Sequence, residues 1–190
     1  QEYIMSEGVR YVSEVSDPHK IALRTKRLDI QRKYMESDRA VRIQYASKNA
    51  GVANAWKKWQ GEMKGINRLG TVQAKRAYEK RFSGWAEAAG YGDVLGKLDS
   101  LYKAAESYSF IQDYYMETAY TVELARFARS IMSLNSKGAS GEEFDAVADA
   151  FYKDYYMPID KECFVAVMDA FDRNVPEEFQ PAYFRDMMSE

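Results

Sequence analysis

Apolar residues recur along this chain at intervals of three and four, the period of an α-helix. The clearest run is Tyr45 to Leu69, where Val52, Trp56, Trp59, Met63 and Ile66 are spaced 4, 3, 4, 3 and share one face. The register extends back through Tyr45, Val41 and Tyr34 to Ile30, about ten turns before Ile66. The stripe turns polar near Ser37 and Asp38, where a kink or a fresh N-cap at Ser37 is expected. Gly70 follows Leu69 as a C-cap glycine.

Either side of this run the pattern stays helical. Tyr3 to Val15 reads as a short amphipathic helix with a weak stripe of Ile4, Val9 and Val12. Ser16-Asp17-Pro18 then reads as a restart, Asp17 as N-cap and Pro18 as first helical residue. That puts His19 in a first turn, facing solvent. Further on, Thr71 to about Ala89 is one helix and Gly90-Tyr91-Gly92 a turn. Val94 to Leu134 is a long helical region with a break expected near Ser107 to Ser109. Asn135 to Gly141, NSKGASG, is a loop. Ser140 opens a helix that Pro158 stops, Asp160 caps the next, and a short helical segment is expected from Phe184 to Met188. No stretch alternates as a strand does. The expected fold is all-α: an irregular bundle of about six to eight helices, two of them long or kinked, forming a single helical domain over residues 1–190.

Composition narrows the function classes. At 46% hydrophobic the 190 residues can bury a core, and the 29% charged fraction leaves no run near the length of a membrane span. Cys163 is the only cysteine and His19 the only histidine, so no disulfide and no metal site rich in those residues is expected, and no cofactor is implied. Charge is uneven. Asp17 to Arg81 carries 17 Lys/Arg against 6 Asp/Glu, whereas Asp93 to Glu190 carries 9 against 19. A basic surface would suit an anionic partner. The even spread of these residues around the helices, without a nucleic-acid module, favours halves that pack together and complement each other's charge.

Candidate chemistry is sparse. A Ser-His-Asp set would have to use His19, and no Gly-x-Ser-x-Gly elbow or phosphate-binding glycine loop is present. The dense tyrosines (Tyr108, Tyr114, Tyr115, Tyr120, Tyr152, Tyr155, Tyr156) read as helix packing with hydroxyls reaching water, or as an aromatic contact surface. Gly61 and Gly65, four apart, form a bare strip, read as a close helix crossing or as room for a ligand. Lys48, Asn54 and Lys57 are polar residues of the same helix.

Those residues also carry a resemblance. Val41-Arg42-Ile43, Tyr45-Ala46-Ser47-Lys48, Asn54, Trp56-Lys57, Gly61, Lys64-Gly65 and Leu69 resemble the S46 family of bacterial dipeptidyl peptidases. So do Arg27-Leu28-Asp29-Ile30, Asp160-Lys161-Glu162, Asn174-Val175-Pro176 and Gln180-Pro181. The resemblance implies a serine exopeptidase that releases dipeptides from peptide N-termini without a metal or organic cofactor. Its Ser-His-Asp triad lies on a chymotrypsin-like double β-barrel, and a large helical insert covers the cleft. This chain resembles that insert alone, a lid excised from a larger periplasmic protein. The expected partners are the flanking β-barrel catalytic domain of the same polypeptide and a peptide substrate. The parent is expected to be a homodimer, with no nucleic acid and no membrane span. Catalytic residues are then expected outside this chain, and the isolated chain is expected to be inactive. Lys48, Asn54 and Lys57 are the candidates for facing the cleft, Gly61 and Gly65 for close packing, and Gln1 for an edge near the substrate amine. The alternatives are a stand-alone helical binding or scaffold module of the bacterial envelope, and a nucleic-acid-binding bundle that uses the basic half.

Overall fold

The structure, a computed structural model, describes residues 3–182, 184 and 186. Among the described residues the regular elements are all helical: α1 (Ser6–Arg10), a π-helical segment (Tyr11–Ser16), α2 (Asp17–Ser37), α3 (Arg39–Arg68), α4 (Thr71–Ala88), α5 (Val94–Glu117), α6 (Glu123–Ser136), α7 (Gly141–Lys153) and α8 (Met157–Asn174). Short 3-10 turns lie at Ala119–Thr121 and Glu177–Phe179. The all-α expectation holds. Gln1 and residues 185 and 187–190, where part of the last helical segment was expected, lie outside the described residues.

Several boundaries differ from those expected, among them the end of α7 at Lys153, before Pro158, which lies in the first turn of α8. The chain does not restart at Asp17: α1, the π segment and α2 form one helical run of 32 residues. Asp17 has helical torsions, φ −65° and ψ −41°, and is not an N-cap. Pro18 fits inside this run because the wider π turns before it loosen the backbone where its ring would clash and its missing N–H would leave a gap. His19 is therefore mid-helix and mostly covered, with its ring edge-on to Phe110 at 5.0 Å. Between α2 and α3 the cap is Asp38, one residue beyond Ser37: Oδ1 accepts the N–H of Ala40 at 2.7 Å. The long downstream helix runs through Ser107–Ser109 and breaks instead at Thr118 (φ −112°, ψ −88°). There the Thr118 hydroxyl donates back to the Tyr114 carbonyl at 2.7 Å.

The chain forms two compact units, residues 1–21 with 55–113, and 22–54 with 114–190. In the first, Glu79 of α4 stands at the start of α1. Its carboxylate accepts the Ser6 N–H at 2.7 Å and the Ser6 hydroxyl at 2.6 Å, which satisfies a helix-end donor. Gly8 belongs to this contact: a Cβ there would come within 3.2 Å of the Tyr102 ring. Arg10 holds Glu7 and Glu106 together by ion pairs.

In the second unit the core gathers Val41, Tyr45, Ile159 and Cys163, with Ile30, Tyr34, Met35 and Tyr156 packed around them. These residues come from α2, α3 and α8 and the turn before α8, so the apolar stripe read from Ile30 onward does face a core. The basic and acidic halves of the sequence meet here. Arg24 reaches Glu117 with two hydrogen bonds (2.8 and 2.9 Å), Lys33 reaches Glu162 (2.8 Å), and Lys48 reaches Glu123. Asp160, expected to cap its own helix, lies inside α8, whose N-cap is Tyr156. Its carboxylate instead accepts the N–H groups of Glu123 (2.8 Å) and Leu124 (2.9 Å). A side chain of α8 thus caps α6.

Candidate functional site

Helix α3 carries most of the residues singled out by sequence, and its two sides differ. The inner side holds Val41, Tyr45 and Val52, all buried. Tyr45 is fully covered, and its hydroxyl donates to Glu123 Oε1 at 2.9 Å. Burial and the neighbouring Glu123 carboxylate push the Tyr45 hydroxyl well above its usual ionisation range, so it stays a neutral donor. Trp56, Trp59, Met63 and Ile66 continue the stripe but are only half-buried.

The five residues picked out on α3 separate accordingly. Lys48 is half-buried and already engaged: its ammonium pairs with Glu123 and donates to the Asp154 carbonyl. It ties α3 to the start of α6 and the end of α7. Asn54 and Lys57 are exposed, three residues apart and so on one side of the helix. Gly61 and Gly65 do not pack closely, contrary to expectation. A Cβ built on either meets nothing within 4 Å, and the same is true of Gly51. The reason is register: these glycines stand off the Val52–Ile66 stripe, where an added Cβ would point into open space. The open side of α3 therefore presents an amide, an ammonium and bare backbone, which can hydrogen-bond and accommodate a close neighbour.

Elsewhere, a serine, a histidine and an aspartate do converge, in the wrong order for catalysis. Asp113 Oδ2 accepts from the Ser16 hydroxyl at 2.6 Å and from the Tyr11 hydroxyl at 3.2 Å, and His19 Nε2 lies 3.7 Å from the same oxygen. In a working triad the histidine stands between serine and aspartate and takes the serine proton. Here the serine donates directly to the carboxylate and is buried. Cys163 is buried, and burial pushes its thiol up to about 12, so it is a core side chain rather than a nucleophile. No cluster of three metal-ligating side chains occurs among the described residues. No helix among them is long and apolar enough to cross a membrane.

Sequence reading passed over Glu123 and Glu117 and assigned Asp160 to its own helix, yet all three orient the helices around α3. Acidic residues at helix starts look alike in sequence whether they cap their own helix or another, and only the three-dimensional neighbour tells them apart.

Comparison with known proteins agrees with this architecture. The Peptidase S46 family model matches residues 1–190. The Asp/Glu-specific dipeptidyl-peptidase of Flavobacterium psychrophilum is 32% identical over 195 residues, covering 95% of this chain and 27% of that protein. Dipeptidyl-peptidase 7 of Porphyromonas gingivalis is 32% identical over 191 residues, covering 98% of this chain and 27% of that protein. The fold matches the crystal structure of Porphyromonas endodontalis DPP11 in complex with the dipeptide Arg-Glu, with a TM-score of 0.79 at 21% identity, over all of this chain and 29% of that one. The chain thus spans about a quarter of the length of the curated relatives it matches. With a family match across its whole length and the helical fold of an S46 relative, the chain belongs to the peptidase S46 family.

Proposed function

We propose that this chain is the helical lid of a periplasmic, serine-type dipeptidyl peptidase, and that it gates access to a cleft whose Ser-His-Asp triad lies on a flanking β-barrel domain of the same polypeptide. The observation that carries the reading is the open side of α3. Asn54 and Lys57 are exposed there beside glycines with free space over them, on the helix that carries most of the residues in which the sequence resembles the family. A lid needs such a surface. Its inner side is fixed by packing, and its outer side offers polar groups and close backbone to an extended peptide or to the wall of the cleft. Closure would exclude water and hold the peptide end in line for attack. Catalysis then belongs to the barrel, and the isolated chain is inert.

The test uses the full-length enzyme. Asn54→Ala and Lys57→Ala are expected to lower kcat/KM on dipeptidyl substrates while leaving the melting temperature unchanged, because both side chains are exposed. Unchanged kcat/KM in both variants would remove this side of α3 from the cleft. Peptide hydrolysis by the isolated chain, abolished by a serine-directed reagent, would overturn the assignment of catalysis to the flanking domain.

A further inference from the structure

Asp17 is an unusual residue to find where it is. It stands at the junction of the π segment and α2, in the first unit, and is only 2% exposed. Its Oδ2 is buried and has no hydrogen-bond partner among the described residues. A buried ionised carboxylate needs compensation from a cation or from several donors, and the nearby groups supply little of it. On its own helix, Lys20 pairs with Asp113 Oδ1 at 3.1 Å, and the neighbouring His19 lies against Phe110 and Asp113. From α3, Glu62 adds a like charge and Lys58 an opposite one. From α5, Asp113 adds a second like charge while its own oxygens are taken by Ser16, Tyr11 and Lys20.

We infer that Asp17 is a proton-operated latch: the carboxyl holds residues 6–21 of the helical run against the parts of α3 and α5 that belong to the first unit when it is protonated, and loosens that packing when it ionises. The surroundings act in the required direction. Burial first, and then the Glu62 charge, push the carboxyl up to about 6 from its ordinary 3.8. A group whose folded value is raised gives stability that is fully present below the unfolded value and is lost as pH rises through the folded one. Local stability around the π segment is therefore greatest below about pH 4 and falls through about pH 6. The π geometry makes this a local event, because its wider turns open more readily than regular α-helix. An acidic setting would tighten this part of the chain, and a neutral one would relax it.

The experiment is amide hydrogen exchange over residues 6–21 in the full-length protein, corrected for intrinsic rates, at about pH 5 and about pH 8. Wild type is expected to open more at the higher pH, by about tenfold, because one of the two decades between 3.8 and 6 is already spent at pH 5. Asp17→Asn, which keeps the shape and removes the charge, is expected to abolish the pH dependence and to be better protected than wild type at the higher pH. Glu62→Gln, at an exposed position, is expected to move the wild-type midpoint to lower pH. It reads out the same interaction if the Asn variant does not fold. A flat wild-type profile, poorer protection in Asp17→Asn at high pH, or an unmoved midpoint in Glu62→Gln would each overturn the latch.

Discussion

The carboxylate of Asp160, in α8, is the N-terminal cap of α6 through the N–H of Glu123 at 2.8 Å. It also takes the next N–H, that of Leu124, and so fills the role a Ser or Asp at the preceding position would normally fill. Val122, which holds that position, has no side chain able to cap. Asp160→Ala is expected to destabilise the second unit by about 1–2 kcal/mol. Asp160→Asn, with one acceptor left, should lose less. Chemical denaturation of the two variants checks the order, and equal losses would contradict it.

The Arg24–Glu117 pair is bidentate and mostly covered. Removing one partner strands the other charge. Glu117→Gln is expected to cost on the order of 3 kcal/mol, with Arg24 and Arg27 left facing a neutral amide. The paired change Arg24→Met with Glu117→Leu is expected to cost less than Glu117→Gln alone, because only Arg27, and not both arginines, then lacks the carboxylate. A double-mutant cycle on melting curves decides this.

Gly61 and Gly65 have space over them, so Ala at either position fills no occupied volume. Each replacement is expected to stabilise the isolated chain by up to about 1 kcal/mol, the helical cost of glycine relative to alanine. In the full-length enzyme the same changes separate two cases. Unchanged kcat/KM means the strip stays free, and a fall with an unchanged melting temperature means another backbone comes close to it.

Glu162 gives a pH response opposite in sign to that of Asp17. Hydrogen bonds from Lys33 and then Tyr34 hold its carboxyl below the ordinary 4.5. Its stabilisation is thus fully present above about 4.5 and is lost as pH falls through the lower folded value. The melting-temperature gap between wild type and Glu162→Gln is expected to close on going from about pH 6 to about pH 3. A gap that stays constant would mean that the carboxylate charge contributes nothing.

Cys163 should resist thiol reagents in the native protein near pH 8, since burial pushes it up to about 12, and react once the protein is unfolded. Rapid native labelling would show the second unit opening.

How much of this was legible in the sequence follows from the range of each interaction. The stripe Ile30–Ile66, the Gly70 turn, the NSKGASG loop and the Ser140 start depend on neighbours within a few residues, and they could be read directly. Ser140 even closes a capping box with Glu143. Asp17 and Asp160 could not be read. Asp-Pro is a strong local sign of a helix start, and only a π turn upstream makes it a continuation. Asp160 serves a helix 37 residues away. The open side of α3 was half legible: the register put Asn54 and Lys57 off the apolar stripe, but whether a glycine strip is covered or bare depends on what the rest of the chain brings to it. Lys48 looked the same as Lys57 in sequence, and its fate was set by Glu123 and Asp154.

The π segment Tyr11–Ser16 also carries a record in its length. One residue more than an α-helix needs is held there without breaking the run. Each residue turns an α-helix by about 100°. The wider π turns absorb that rotation locally, so deleting one of the six would restore regular α-helix with the flanking faces kept in phase, whereas in a plain α-helix the surplus residue would swing everything before it by about that angle. Glu7 would leave Arg76, Arg10 would leave Glu106, and Gly8 would no longer be the residue beneath Tyr102. The π turns therefore keep the first turn in phase with all later ones despite a surplus residue. A relative one residue shorter at this point is expected to carry plain α-helix here and to keep the same contact surface.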